Sequence, residues 1–310
     1  NFCKGIIELM NFINFKHSII FFNLCILISP FYQVLDYEPI ILCLFTILII
    51  GISHGSLDNI KGKKLLKLFG YKSGILFYSI YLIISLSIII LWLILPNTIL
   101  LLFLIVAAFH FGKEDTVFAF KRRFFIPEIL FFFKGSSVII APLLFQRDAT
   151  NMIFKTLNFY VFESSIFNDQ FLMIILFLSF LSSIYISSNK DSDNKALMIM
   201  DFLSLIILNF FLTPVLAFTL YFCFLHSIRH SITLIFELDK FFNAGLKKFI
   251  SKAFPLTLIT SIVFLITIYF LNNFYKLDEA IYKVVFIGLA SLTFPHILLE
   301  YLLEKNEKRA

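Results

Sequence analysis

Residues 73–95 read SGILFYSIYLIISLSIIILWLIL, and none of these positions carries a charge. A helix needs about 20 consecutive apolar residues to cross the hydrocarbon core of a bilayer, and this run supplies them. Working outward, similar runs lie at 17–34, 38–54, 97–112, 124–145, 170–188, 196–212, 214–236, 254–272 and 282–303. Pro96 and Asn97 part the third run from the fourth, and Thr213 and Pro214 part the seventh from the eighth. The pattern predicts an all-α polytopic membrane bundle of about ten helices. The range is eight to ten, because the second, fourth and seventh runs are short and one of them is open to a re-entrant reading.

Composition agrees. Of 310 residues, 60% are hydrophobic and only 15% charged, where a soluble domain carries about 25% charge. A water-soluble enzyme, a disordered chain and a disulfide scaffold are excluded on these grounds. The net charge of +6 sits in short loops, which marks membrane topology rather than nucleic-acid binding. With ten crossings, Lys61, Lys63, Lys64, Lys67, Lys113 and Lys121 fall on one face with most other basic residues. The opposite face receives Arg147, Lys155, Lys276 and Lys283. This asymmetry predicts a multi-pass protein of the inner (plasma) membrane with both termini in the cytoplasm.

The first apolar run lacks a small-residue cleavage site, so no cleavable signal peptide is expected. Cys3, Cys25, Cys43 and Cys223 form no CxxC pair and read as buried thiols rather than disulfides or zinc ligands. Residues 146–170 mix polar and aromatic side chains, as an amphipathic helix on the membrane surface would. No internal repeat is visible, and residues 1–310 read as one integral membrane domain.

Six histidines interrupt this apolar background. His17, beside Lys16 at the start of the first run, reads as an interfacial group with no assigned role. His54 lies in GISHGSLD, His110 in AAFHFGKED, and His226 and His230 in CFLHSIRHS. These motifs end the second and fourth runs and occupy the later half of the eighth. Even-numbered helices run in one direction, so all four imidazoles reach a similar depth toward the cytoplasmic side. Residues i and i+4 share one helix face, so His226 and His230 are placed to hold one metal ion together. Imidazole suits Fe, Zn, Cu and Ni, and ionisable groups inside a membrane are candidates for function. Taken singly, each histidine has a plainer reading as an interfacial hydrogen-bonding group. Their common depth favours a shared metal site in the cytoplasmic half.

Asp58 lies four residues after His54, and Glu114 four after His110, with Asp115 next to it. These carboxylates either hold the second ring N–H of ligating histidines or are solvated loop charges. Gly55 and Gly112, just beyond their histidines, either end a helix or permit close helix contact. Arg229 faces away from the histidine pair and is expected to meet an acidic group. His296 follows Pro295, which opens the backbone near the same depth. It reads as a pocket histidine, a donor behind the ligands, or a structural group.

The motifs HGSLD, FHFGKED, YFCFLHSIRH and TFPH, in this order over residues 54–296, resemble the Brp/Blh family of bacterial and archaeal membrane proteins. These are β-carotene 15,15'-dioxygenases that supply retinal to microbial rhodopsins. The resemblance implies that Fe(2+) is held by His54, His110, His226 and His230, the positions already reached from depth. It implies β-carotene and O2 as substrates, and oxidative cleavage of the central C=C bond into two retinal molecules. Both oxygen atoms end in the aldehydes, with no external reductant. A functional link to a retinal-binding rhodopsin follows as well. The chain departs from the family at Ser53, often Pro, and at Asn59, often His; Asn59 removes a candidate extra ligand.

A carotene dissolved in the bilayer calls for an apolar tunnel open sideways to lipid. Phe109, Phe111, Tyr221, Phe222 and Phe224 flank the histidines as wall candidates, or are ordinary packing residues. Two other classes stay open: an electron carrier with haem between helix histidines, and a transporter using intramembrane histidines. A di-iron hydroxylase fits poorly, since its clusters need eight histidines and an HxxHH box.

Overall fold

The structure, a computed structural model, describes residues 2–32, 38–71, 74–117, 126–188 and 196–307; of 2–8, His54, Val117 and Glu307 it describes the backbone alone. Among the described residues every regular element is helical. Helix α1 covers Phe2–Tyr32. Helix α2 (Ile40–Thr46) passes through a π turn (Ile47–Gly51) and a 3₁₀ turn (Ser53–Leu57) into α3 (Asp58–Leu68). Then follow α4 (Gly74–Ile94), α5 (Pro96–Val117), α6 (Glu128–Phe145), α7 (Arg147–Thr156), α8 (Asp169–Ser187) and α9 (Leu197–Phe211). Helix α10 (Pro214–Thr219) runs through a π segment (Leu220–Ser227) into α11 (Ile228–Leu238), and α12 (Phe242–Leu271) and α13 (Leu277–Glu307) close the chain's described part.

Nine of these stretches are long and apolar enough to cross a membrane, among the described residues. The seventh apolar run forms α9, which is shorter at 15 residues. Several helices outrun their apolar runs. The second continues to Leu68 and the ninth starts at Phe242, because lysine-bearing turns remain good helix formers beyond the hydrocarbon core. The loop cations Lys72, Lys121, Arg122, Arg123, Lys190 and Lys195 lie outside the described residues. The segment 146–170 forms α7 followed by short 3₁₀ turns, with Thr150, Ile153 and Phe154 buried on the inner face of α7.

Local chemistry explains the joints. Pro96 and Pro214 open α5 and α10, where a missing N–H costs no helix bond. Gly112 and Gly135 bring α5 and α6 together so closely that a Cβ on either would drive into the carbonyl oxygen of Phe131 or Ala108. This is small-residue packing in a membrane, where contact rather than water exclusion drives association. Ser137 and Ser179 both donate to the Lys134 carbonyl, at 2.8 and 3.0 Å, and so fasten α8 to α6. The outer faces of α4 and α12 stay apolar and exposed, as lipid-facing helices must. Cys25, Cys43 and Cys223 are buried free thiols.

Candidate metal centre

Four described imidazoles meet at one end of the bundle. Ring centroids lie 5.4 Å apart for His110–His226, 5.3 Å for His110–His296 and 6.1 Å for His230–His296. They come from α5, from the π segment with α11, and from α13. The wide turns matter here. A π segment adds a residue to the helical turn and recurs at functional sites; this one carries His226, and its Phe222 ring packs over Gly51 in the other π turn. His54 belongs by backbone to the 3₁₀ turn just before Asp58; its side chain lies outside the described residues. His17 sits half-buried on α1, apart from these ring contacts.

Carboxylates back three of the rings. Nδ1 of His226 lies 3.0 Å from Asp115, Nδ1 of His230 lies 3.3 Å from Glu114, and Nδ1 of His296 lies 2.9 Å from Asp58. Each partner comes from another helix, not from the residue four positions along the same one. The second oxygen of Asp115 accepts from the Tyr221 hydroxyl at 2.6 Å. Tyr81 donates to Asp58 at 3.1 Å and to the Leu292 carbonyl at 3.1 Å, tying α4 to both α3 and α13. Behind Asp115, fully buried Arg229 pairs with Asp201 at 2.9 Å and donates to Ser18 at 2.7 Å. Lys134 donates to the Asp115 carbonyl at 3.2 Å. Low dielectric makes such paired buried charges strong locators and makes loss of one partner costly.

Tyr81, Lys61 and Glu300 escape a reading of the sequence. Glu300 carried a usable signal, since it follows His296 by four residues, the spacing noted at His54 and His110. Ligand atoms of Asp58, His296 and Glu300 lie within 4.8 Å of one another, but Lys61 already neutralises Glu300 at 2.5 Å. Nothing in the sequence marks Tyr81 among the other apolar-run tyrosines.

The donor set fits a divalent transition metal. With Nδ1 of His226, His230 and His296 turned to a carboxylate, Nε2 is the ring nitrogen that could ligate, and such a carboxylate would fix both tautomer and ring direction. Clustered imidazoles suit Fe, Zn, Cu and Ni alike, and the nearby carboxylates would offset the charge that neutral ligands leave on such an ion.

His110 and His296 also line an elongated apolar cavity of about 440 Å³. Phe111 and Phe222 form part of its wall. Phe109 instead packs edge-on against Phe131, Tyr221 serves Asp115, and Phe224 packs against the main core. Leu82 of α4 and Ile259 of α12 line the cavity while being 60% and 58% exposed, so it reaches the flank of the bundle.

A family model described as beta-carotene 15,15'-dioxygenase matches residues 45–304. A relative of the same name from uncultured marine bacterium 66A03 is 28% identical over 268 residues, covering 85% of this chain and 94% of the relative. No solved structure matches.

Proposed function

The chain belongs to the beta-carotene 15,15'-dioxygenase family, and we propose from this premise that it cleaves the central double bond of β-carotene with O2 to give two molecules of retinal. One observation carries the reading beyond the family. An imidazole cluster, three of whose rings are backed by carboxylates, meets through His110 and His296 an apolar cavity that reaches the lipid-facing flank. The reaction consumes one C=C bond and one O2 and forms two aldehyde C=O bonds, so it needs no further reductant.

A ferrous ion held by His54, His110, His226 and His230 supplies the O2-activating chemistry when bound. The chain's own residues do the rest. Asp115 and Glu114 keep the protons of His226 and His230 on Nδ1 and so present Nε2 lone pairs to the ion. Tyr221 stops Asp115 from turning away. His296, held by Asp58, lines the cavity beside His110 as a pocket group rather than a member of the ligand set. Phe111 and Phe222 flank the polyene and exclude water. The substrate enters sideways from the bilayer past Leu82 and Ile259, since a hydrocarbon of this kind is dissolved there. The protein sits in the inner membrane with both termini and the histidine cluster toward the cytoplasm, and its product serves a retinal-binding rhodopsin.

Expression in bacteria that accumulate β-carotene tests this. Loss of the orange pigment with retinal as the product, and bound iron in the purified protein, is the expected result. Persistent carotene beside well-folded, membrane-inserted protein would sink the reading.

A further inference from the structure

The cavity is lopsided about the histidines. On one side it ends near Asn59 and Tyr78, close to the Asp58–His296 pair. On the other it runs down the bundle to Pro214 on α10 and Tyr282 on α13. Helix rise over the residues between Tyr282 and His296 makes this arm roughly 20 Å deep.

Its floor is α7. Thr150, Ile153 and Phe154, the buried face of that amphipathic helix, line the cavity. Phe154 is held by Phe159 and Phe162, each at a ring-centroid distance of 5.4 Å, and by Phe286 at 6.4 Å. The floor is anchored from several sides. Thr150 donates to the Gln146 and Pro142 carbonyls at 2.7 and 3.0 Å. Lys283 donates to the Thr156 carbonyl at 2.5 Å, and the Tyr160 N–H to Asn97 at 3.1 Å. Arg147 pairs with Asp169 at 2.8 Å.

A linear conjugated hydrocarbon offers no polar handle. Apolar walls grip it equally well after a slide of one double bond, because the hydrophobic effect is non-directional. Selection of one bond therefore needs a stop. We propose that α7 is that stop, with Phe154 its contact face. One end ring of the polyene seats on the Thr150–Ile153–Phe154 floor, and the depth of the arm decides which double bond lies beside His110. This rests on the dioxygenase reading above and assigns the choice of bond to residues remote from the histidines.

The test compares products, not rates, because a product ratio does not depend on how much enzyme folds. Wild type is expected to give retinal alone from β-carotene. Phe154→Ala deepens the arm and is expected to give an unequal pair of carbonyl products, one longer and one shorter by the same number of carbons, with the same one O2 per cleavage. A slide of one double bond brings a methyl-bearing carbon to the site, so one fragment ends in a methyl ketone and the other in an aldehyde. Phe154→Val, which also removes the ring but leaves a smaller gap than alanine, is read in its place, with the same unequal products expected, if the alanine variant fails to accumulate. A second measurement needs no variant. Ring-bearing apocarotenals truncated at the other end are expected to give retinal from the ring end whatever the truncation. Retinal as the sole product of an active Phe154 variant overturns the proposal, as does a ring-end fragment that changes with truncation. Wild type that makes no retinal at all sinks the dioxygenase reading instead.

Discussion

At the histidine end, three imidazoles each meet a carboxylate carried by another helix. At the α7 end, Phe154, Phe159 and Phe162 pack together and Phe167 packs against Phe162, three of the four pairs edge to face and Phe154–Phe162 tilted, with centroids 4.8 to 5.4 Å apart. Hydrogen bonds are directional and fail over a few tenths of an ångström, so the first region needs several helices fixed at once. Aromatic packing tolerates small shifts and depends on volume. The first arrangement suits holding an ion, and the second suits setting a length.

Variants sharpen this contrast, the largest effects first. His54→Ala, His110→Ala, His226→Ala and His230→Ala are each expected to abolish retinal formation and lower bound iron, while His17→Ala does neither. Metal analysis beside pigment chromatography checks this, and a variant at wild-type rate would remove that residue from the ligand set. Asp115→Asn and Glu114→Gln keep shape but weaken the hold on His226 and His230. Losses of about 10–100-fold in iron affinity are expected, read by competition with a chelator. Unchanged affinity would mean that these carboxylates are bystanders.

Phe162→Ala at the opposite end is expected to cost about 3–5 kcal/mol of stability while iron content stays at the wild-type level. Thermal unfolding and metal analysis on one sample decide it; iron lost in step with stability would erase the distinction between the two ends. The smallest effect belongs to the surface. Lys248 lies 2.6 Å from Asp239 and holds its carboxyl below the ordinary carboxylate range. A depressed carboxyl lends stability above that range and loses it as pH falls, but exposed pairs contribute little. Lys248→Ala should leave the melting temperature unchanged at neutral pH, and a clear drop would show that this loop matters.

Much of the fold was legible because a bilayer demands long apolar helices with every backbone group satisfied. Among the described residues, each of the ten apolar runs falls mainly on a helical stretch, including the short α9. Helix ends were less legible, since the lysine-rich stretch Lys61 to Lys67 extends α3 past the end of the apolar run. Within the site, the four-residue spacing of His226 and His230 and their depth relative to His110 marked these three as neighbours. The same spacing pointed Asp58 to His54 and Glu114 to His110, whereas Asp58 meets His296 and Glu114 meets His230. Two side chains on one helix face point into the same interior, where the ring of a facing helix can lie at hydrogen-bond distance.

The sequence by itself determined an all-helical membrane chain with histidines and carboxylates at one end of its helices, because hydropathy and helical period are local properties. Tertiary structure alone decided which carboxylate backs which ring, that Tyr81 and Tyr221 lock those carboxylates, and that α7 floors the cavity. These are contacts between helices far apart in sequence, set by the Gly112–Gly135 crossing and the two π turns. No local pattern specifies the rotation and offset that such packing imposes.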